Sequence, residues 1–414
     1  MQAANFSRIL NIPEYKVTEI ISRTDAEIVL RVEPYERNNG KCGGCGKVHG
    51  NGSHGSYWIR VEDLPISGRR VYLDVRRRRY ECEEGDKIFV EEIDWIKKWG
   101  RVTKRFAVQV NRLTAITTNQ EAGWFLGLDD EVVYRIDKEM LEEQFEEKLV
   151  PTPFSLNISV DEVSYRKYHR YITNVIDVDK KVVVWNGKGR KAEVLNSYYE
   201  SVGVEKCEEI ESVALDGART YIASSVKYAV RALIVYDKFH ITSKINKAID
   251  SVRKWELNKA RKEGRDDIIE LTNCRQRFIL LKNQSKLTAR QAEYLDKLCK
   301  LNEPIYKSML LKESFLTLYL CKDVNSAKEK LLQWIAEAKA SAIEVLKSLA
   351  DSFQDKMQYI LNWFHKKISS AISEGFNNKI KRLKRMAYGY RDVDCFMLKI
   401  HQHCGLLNPR REVI

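Results

Sequence analysis

Three carboxylates stand at positions in the sequence where they could support phosphodiester chemistry. Asp161 ends an alternating stretch that begins at Leu156, Asp216 follows the apolar run 212–215, and Glu374 lies at the head of a basic stretch. Carboxylate oxygens are the ligands that Mg²⁺ prefers, and a pair of divalent cations can activate an attacking oxygen and stabilise a leaving one. Taken singly, an aspartate at a strand end or before glycine is more often a turn or capping residue. The prediction therefore depends on the fold bringing the three together.

The stretch Ser369–Arg391, which contains Glu374, has the period of an amphipathic helix. One stripe is apolar and would pack, whereas the opposite side carries a carboxylate and several cations. This face is explained if the carboxylate holds a metal ion and the amides and cations downstream hold a phosphate backbone. The residues predicted to contact DNA here are Asn377, Asn378, Lys379, Lys381, Arg382, Lys384 and Arg385.

The elements that must position the two aspartates lie between Pro151 and Tyr236. Alternation and apolar runs predict strands at 156–161, 170–178, 181–185, 212–215 and 232–236, with helices at 192–201 and 220–229. The order β-β-β-α-β-α-β indicates a mixed sheet with helical crossovers and is the order of the ribonuclease H-like fold. In that fold the first strand lies beside the fourth, so we expect Asp161 and Asp216 to be close together.

The predicted fold class is a multidomain α+β protein whose ribonuclease H-like core is interrupted by a long all-α insertion. Between Ile241 and Ile372 only one glycine and one proline occur, and the apolar residues follow a helical stripe. The predicted domains are a zinc-finger-like β module at 1–100, a helix-turn-helix at 101–150, the first part of the core at 151–243, the helical insertion at 244–369, and the final core helix with the tail at 370–414.

A Gly-rich knuckle near the start of the chain places two thiols close together. Cys42 and Cys45 could hold one zinc ion from one side, and Cys82 offers a third thiol after a strand-like stretch. The fourth ligand is open, with His49, His54 and Asp86 as candidates. A Gly-rich turn that carries free thiols remains the alternative to zinc.

Four consecutive arginines, Arg76, Arg77, Arg78 and Arg79, belong to the strand predicted beside the knuckle. Because neighbouring residues of a strand point to opposite faces, half of these side chains must be solvated or bound to phosphate. A solvated sheet edge is the alternative to DNA binding.

Three helices are predicted between residues 103 and 141. Thr118 or Asn119 can cap the second, a turn follows at Gly127, and Asp129 or Asp130 can cap the third. This is the helix-turn-helix layout, with DNA contacts expected from residues of the third helix, namely Tyr134, Arg135 and Lys138. The third helix is also acidic, so a structural three-helix spacer stays open.

The formal net charge of +13, from 71 Lys and Arg against 58 Asp and Glu, favours a polyanionic partner, either nucleic acid or an anionic membrane surface. No apolar run approaches the ~18 residues of a membrane span, and the N-terminus lacks a signal sequence. Nine scattered cysteines suit reduced thiols. We therefore expect a cytoplasmic protein without a membrane partner.

Several blocks of residues together resemble the DDE transposases of bacterial insertion sequences, specifically the ISL-three family. The similarity covers nearly the whole chain, and its most specific parts are the Asp-Lys-Phe-His and Glu-x-x-Asn-Asn-Lys blocks. The blocks begin at Ser159, Leu215, Tyr236 and Glu374, and a further one spans Ala387–Tyr390. The resemblance implies that Asp161, Asp216 and Glu374 are the catalytic triad and bind two magnesium or manganese ions. It also implies that Asp237 and His240 lie near the active site.

For the function, the resemblance implies a protein that binds the terminal inverted repeats of an insertion sequence, cleaves the ends, and joins the 3′-hydroxyls to target DNA. Its partners would be double-stranded DNA and, because two ends must be held together, a second copy or more of the same chain. It would then act at the nucleoid. Two alternatives stay open: a domesticated or inactive transposase that acts as a sequence-specific DNA-binding protein, and a nuclease of ribonuclease H fold.

Overall fold

The computed structural model describes residues 3–49, 54–82, 87–97, 101–166, 170–273, 277–282, 284–368 and 371–411. The chain divides into two compact units. One comprises residues 1–147 with 409–414, and the other comprises residues 148–408. Within the described ranges, no helix is both long enough and apolar enough to cross a bilayer.

The first unit begins with helix α1 (Ala3–Leu10) and continues into a six-stranded sheet. In this sheet the longest strand, β5, is parallel to β2 and antiparallel to β4 and β6. Alternating Val71, Leu73 and Val75 of β5 are fully buried, which is the pattern of a strand with one face in a core. The strands are β1 (Tyr15–Arg23), β2 (Glu27–Pro34), β3 (Lys41–Cys42), β4 (Ser56–Ile66), β5 (Arg69–Glu81) and β6 (Ile88–Glu92).

Three helices complete the first unit: α2 (Lys104–Thr114), α3 (Asn119–Leu126) and α4 (Asp130–Leu149). Thr118 caps α3 in a capping box with Glu121, and Gly127 ends the helix with φ +69°. The helices pack around a core that includes Phe106, Val110, Ala122, Val133 and Ile136. The three predicted helices are therefore present, although the third extends eight residues beyond Leu141.

The second unit contains a five-stranded sheet in the order β11-β10-β7-β8-β9. Strands β7, β10 and β11 are parallel, whereas β8 and β9 are antiparallel to their neighbours. Helix α5 (Ala192–Val202), the short α6 (Val204–Cys207) and α7 (Arg219–Tyr228) form the crossovers. The strands are β7 (Asn157–Arg166), β8 (Arg170–Asp177), β9 (Val182–Lys188), β10 (Ser212–Leu215) and β11 (Leu233–Tyr236). The predicted neighbours, the first and fourth strands of this sheet, are paired.

Eight helices follow β11 and share one apolar core. The rings of Phe315, Trp334 and Phe353 meet in its centre, with centroids 5.0 to 5.5 Å apart. The last of these helices packs on β11, where Asn362 donates a hydrogen bond of 2.9 Å to the carbonyl of Ile234. The helices are α8 (Lys238–Glu263), α9 (Asp266–Thr272), α10 (Arg277–Leu281), α11 (Ala289–Leu301), α12 (Glu303–Leu318), α13 (Val324–Ala340), α14 (Glu344–Asp355) and α15 (Met357–His365).

Two final helices, α16 (Ala371–Met386) and α17 (Val393–Cys404), return to the five-stranded sheet. Val163 of β7 packs with Phe376, Ile380 and Leu383 of α16. Ile158 and Val160, at the even positions of β7, instead belong to the core with α5 and α7. Odd and even positions of β7 therefore face different helices, as strand alternation requires.

Candidate active site and metal centre

Asp161 and Asp216 occupy equivalent places on neighbouring strands. Ser159 of β7 pairs with Ala214 of β10 in parallel register, and each aspartate lies two residues further along its strand direction. Asp161 is buried within β7, whereas Asp216 directly follows β10 and is half-buried. Oδ1 of Asp216 accepts a 2.8 Å hydrogen bond from the N–H of Ala218. The sheet thus brings two of the three predicted carboxylates to adjacent strands.

Two hydrogen bonds fasten α16 to β7. The hydroxyls of Ser159 and Ser373 share one of 2.6 Å, and Nδ2 of Asn377 donates one of 2.6 Å to Oδ2 of Asp161. Four residues of a helix advance about 6 Å and two residues of a strand about 6.6 Å, so the two spacings match. Glu374 is exposed and lies on the helical turn between these two bonds. The third predicted carboxylate is therefore on the turn of α16 that packs against Asp161.

His240 lies between two of the predicted acidic residues, near the start of α8. Its Nε2 is 3.8 Å from Oδ2 of Asp161 and 3.6 Å from Oδ2 of Asp237. Asp237 caps α8 by accepting a 2.8 Å hydrogen bond from the N–H of Phe239. Burial of the imidazole lowers its pKa, but the nearby carboxylate of Asp161 and the charges of Asp237 and Asp216 raise the pKa of His240 overall.

Glu162 is a further acidic residue to which sequence reasoning assigned no role. It follows Asp161 in β7 and therefore points to the face covered by α5 and α7. Burial and the charges of Asp216 and Asp161 raise the pKa of Glu162 to about 7, against an opposing effect of Arg190. Strand alternation could have indicated it, because an Asp-Glu pair in a strand puts one carboxylate on each face.

The donor set at this edge of the sheet fits hard divalent cations. Asp161, Asp216 and Glu374 offer carboxylate oxygens only, and no thiol of the described residues joins them. The raised pKa of His240 reflects the negative charges of Asp161, Asp237 and Asp216. Divalent cations would neutralise these charges.

A second cluster lies in the first unit, where the sulfur atoms of Cys42, Cys45 and Cys82 and a ring nitrogen of His49 are all within 4.8 Å of one another. Sγ of Cys45 is 3.2 Å from Nε2 of His49. Desolvation raises the pKa of the Cys42 thiol, but hydrogen bonds from the N–H groups of Cys45 and Gly44 oppose this effect, and overall the pKa is lowered to about 7. Three thiols and one imidazole match a tetrahedral zinc site.

His49 supplies the fourth donor that the sequence left open. His54, also considered from the sequence, is not in the cluster, and Asp86 lies outside the described residues. The tight turn after β3 brings Cys45 beside Cys42, because the N–H of Gly46 bonds the carbonyl of Cys42.

The four arginines of β5 differ in their surroundings. Arg78 forms an ion pair of 2.5 Å with the buried Glu91, and Nε of Arg77 donates to the carbonyl of Glu91 at 2.8 Å. Arg76 and Arg79 are exposed, and the guanidinium of Arg79 lies 5.0 Å from the centre of the Tyr57 ring. Arg77 and Arg78 are thus held by the buried Glu91, whereas Arg79 and Arg76 are accessible, although Arg76 also lies 3.5 Å from Glu33.

The residues predicted to read DNA on α4 are not equally exposed. Arg135 is exposed, whereas Tyr134 and Lys138 are half-buried, and Nζ of Lys138 is 3.9 Å from Glu142. On α3, by contrast, Trp124 and Phe125 are 84% and 67% exposed. Nothing in the sequence pattern singles out these two aromatic residues.

The basic face of α16 has the predicted orientation. Phe376, Ile380 and Leu383 are buried, and Glu374 is exposed. Lys384 is half-buried, with its Nζ 3.4 Å from the carbonyl of Ser164. Asn377 differs from the other predicted DNA contacts of this helix because its amide bonds Asp161. The exposed members of the set are Asn378, Lys379, Lys381, Arg382 and Arg385.

Comparisons with known proteins match both regions. The family model of ISL3-type DDE transposases, described as "Transposase", matches residues 158–400, which contain the three carboxylates. A second model, described as "zinc-finger of transposase IS204/IS1001/IS1096/IS1165", matches residues 38–85, which contain the Cys3His cluster.

Two curated relatives are similar along most of their length. The transposase for insertion sequence element IS1001 of Bordetella parapertussis is 32% identical over 343 residues, which cover 82% of this chain and 83% of the relative. The transposase for IS1557 of Mycobacterium tuberculosis is 25% identical over 387 residues, covering 88% and 86%. The resemblance inferred from the sequence blocks is confirmed, and the chain belongs to the ISL-three family of DDE transposases.

Proposed function

We propose that this chain binds the terminal inverted repeats of its insertion sequence, cleaves the ends, and joins the freed 3′-hydroxyls to target DNA. The observation that carries the proposal is the fastening of α16 to β7, because it brings the turn with Glu374 beside Asp161. The relatives are named as transposases for insertion sequence elements, which supports such a substrate.

We infer a ribonuclease H-like core from the strand order β11-β10-β7-β8-β9, with parallel pairing of β7 to β10. This core would comprise residues 151–243 and 370–414, with 244–369 as a helical insertion. Residues 1–100 and 101–150 would be separate DNA-binding modules. The proposal adopts the boundaries expected from the sequence.

We propose Asp161, Asp216 and Glu374 as the ligands of two magnesium or manganese ions. When bound, such ions activate the attacking oxygen and stabilise the leaving oxygen of a phosphodiester. Asn377 orients Asp161 through its hydrogen bond, and Nε2 of His240 lies 3.8 Å from the same carboxylate oxygen. The arrangement therefore holds the Asp161 carboxylate in a fixed orientation for metal binding.

The Cys3His cluster supports zinc as a second, structural metal. It would link the turn after β3 to Cys82, which directly follows β5, through Cys42, Cys45 and His49. A closed four-ligand site stabilises the fold and leaves no open position for chemistry.

For DNA contacts we propose the accessible cations first. Arg76 and Arg79 of β5, Arg135 of α4 and the exposed residues of α16 can reach phosphates without losing a buried partner. Arg77 and Arg78 would contribute to the stability of the module instead. Synapsis of two ends implies a homodimer or higher oligomer of the chain.

The test uses labelled DNA that carries the repeat tip, incubated with magnesium, with manganese and with a chelator. We expect strand-specific cuts that depend on metal and that disappear in Asp161→Asn, Asp216→Asn and Glu374→Gln, each by at least about a thousandfold because a metal ligand is lost. End binding should persist in all three. Asp179→Asn, at an exposed turn of the same sheet, is the matched control and should cut normally.

Full strand transfer by any of the three variants would refute the triad. Tight binding of the repeats without cuts in either metal would favour a regulatory DNA-binding protein. Cuts on DNA without the repeats, at equal rate, would favour a nuclease of the same fold.

A further inference from the structure

The ring of Tyr236 forms a wall beside Asp216. Tyr236 ends β11 and pairs with Leu215, the residue before Asp216. Gly217 has a φ of +76°, and a Cβ at this position would lie 2.5 Å from Cζ of Tyr236. The ring is therefore packed directly against the backbone that follows the catalytic aspartate.

Two lysines lie over this same ring. Nζ of Lys244, on α8, is 5.1 Å from the ring centre, and Nζ of Lys356, between α14 and α15, is 5.8 Å from it. Both side chains are half-buried. Within the described part of the chain neither lysine forms an ion pair, and the buried hydroxyl of Tyr236 has no hydrogen-bond partner. Two ammonium groups thus lie over one ring without a carboxylate partner among the described residues.

The charges of these lysines act on each other and on the active site. Burial lowers the pKa of Lys244, and the charges of Lys356 and Lys247 lower it further, whereas Asp216 raises it. Like charges held together are unfavourable unless an anion lies between them. A phosphate would relieve this repulsion and satisfy the donors.

The helical insertion holds Lys356 in this position. Helix α15, which begins next to Lys356, is fixed to the edge strand by the bond from Asn362 to Ile234. Nζ of Lys238 lies 4.4 Å from the centre of the Tyr319 ring and 5.5 Å from that of Trp363, which joins the start of α8 to α12 and α15. The insertion is therefore packed at the end of the sheet where the catalytic residues lie.

We propose that Lys244 and Lys356, which both lie over the Tyr236 ring, bind a backbone phosphate of the DNA strand that enters beside Asp216. The helical insertion then takes part in binding the substrate at the active site. This inference rests on the proposed function, since it assigns a subsite within the same centre. The ligand is a DNA phosphodiester and not free phosphate.

The first test measures binding of repeat DNA by fluorescence anisotropy in the Asp161→Asn background, so that cleavage does not interfere. We expect Lys244→Gln and Lys356→Gln each to weaken binding about tenfold, and the double variant to lower the slope of log K against log salt by about 1.8. Lys356→Arg keeps the positive charge and should therefore bind repeat DNA as tightly as the parent does. Lys347→Gln, a half-buried lysine of α14 that pairs with Glu344 at 3.9 Å, is the matched control and should bind as the parent does.

The second test replaces single phosphates near the cut with uncharged methylphosphonates. For the parent protein, we expect weakened binding at one or two positions. The double variant should bind DNA with a methylphosphonate at these positions as tightly as it binds unsubstituted DNA, because the two lysine charges that contact these phosphates have been removed. Free phosphate at millimolar concentration should not compete. The melting temperatures of all variants are measured alongside, since Lys356→Arg keeps the packing on Tyr236 and separates loss of charge from loss of fold.

One outcome overturns the inference but leaves the proposed function standing. In it, the unsubstituted protein cuts repeat DNA, and the lysine variants match their Asp161→Asn parent both in affinity and in their response to methylphosphonates. A second outcome is that neither metal supports cutting, yet the methylphosphonates weaken binding by the parent and not by the double variant. The phosphate subsite then stands and the proposed reaction fails. Competition by free phosphate at equal strength would overturn the assignment to DNA.

Discussion

At the scale of single residues, Asn377 has a partner that its sequence motif does not indicate. Its neighbours Asn378 and Lys379 are exposed, and all three belong to the block that the sequence assigned to DNA. Asn377 instead donates to Oδ2 of Asp161, because α16 turns this position towards β7. Helical periodicity predicts which residues share a face of a helix, but it does not predict which strand packs against that face.

We therefore expect Asn377→Ala to bind repeat DNA normally and to cut it about tenfold more slowly, since a hydrogen bond to a carboxylate contributes about 1.5 kcal/mol or more. The rates of single-turnover cleavage and the magnesium concentration for half-maximal rate check this. Asn378→Ala is the control, and its effect should fall on binding. A binding defect in Asn377→Ala with an unchanged cleavage rate would assign this residue to DNA after all.

At the scale of elements, the zinc cluster joins a turn, a loop and the end of a strand. Cys42 and Cys82 are buried against Tyr80, so these segments share a small core of their own. The cysteine spacing suggested zinc from the sequence. The fourth ligand could not be predicted, because the turn geometry that selects His49 over His54 is not a matter of spacing.

We expect His49→Ala to lower the zinc content of the purified protein from about one equivalent to well below half, because three thiolates hold the ion less tightly than four ligands do. Elemental analysis after dialysis measures this. His54→Ala should retain its zinc. Full occupancy in His49→Ala would show that another residue completes the site.

Helix α17 contains a buried histidine whose charge is tied to folding. Burial lowers the pKa of His401 to about 4 from the ordinary 6.5, against a bond with Val183 that raises it. Between pH 6.5 and 4 the unfolded chain binds a proton at His401 that the folded chain does not bind. The contribution of His401 to the free energy of unfolding is therefore fully present above pH 6.5 and is lost as the pH falls towards 4. At about 1.4 kcal/mol per pKa unit, the loss reaches about 3 kcal/mol.

The free energy of unfolding by denaturant, measured between pH 4 and 7, tests the predicted effect of His401. His401→Gln should be less stable at pH 7, and its unfolding free energy should fall less steeply on acidification than that of the parent. His403→Gln, half-buried on the same helix, is the control and should keep the parent's pH dependence. Equal slopes for all three proteins would contradict the assignment.

The elements between residues 156 and 236 were predictable because their periods are clear, and the pairing of β7 with β10 was expected from the strand order of the ribonuclease H-like fold. The features that were not predicted include α1, strands β4 and β6, helix α17 and the break between α13 and α14. At the break, Ala342 adopts a φ of +59°, although the apolar stripe runs through it without a glycine or proline. Tertiary packing overrides the local pattern there.

At the scale of the whole molecule, the formal charge of +13 comes from the second unit, which has 46 Lys and Arg against 31 Asp and Glu and includes the cations of α16. The first unit has 25 Lys and Arg against 27 Asp and Glu, so the arginines of β5 are a local basic feature there. Charge of this kind binds any DNA, so affinity alone does not indicate recognition.

We expect binding to random DNA to fall by about a thousandfold between 50 and 200 mM salt, as is typical of six or more phosphate contacts. Binding to repeat DNA should fall less, because contacts to bases are not screened in the same way. Anisotropy titrations with both DNAs measure the two slopes. Parallel slopes with equal affinities would mean that the chain does not recognise its repeats.

The hydrogen bond from Asn377 to Asp161 joins residues that are 216 positions apart. During synthesis the N-terminal parts of a chain emerge and fold first. The N-terminal modules proposed to bind DNA would therefore be folded while α16 is still inside the ribosome. A product that stops early, before Glu374, would occupy ends and could not cut them, so an interrupted message would yield an inhibitor of the complete protein.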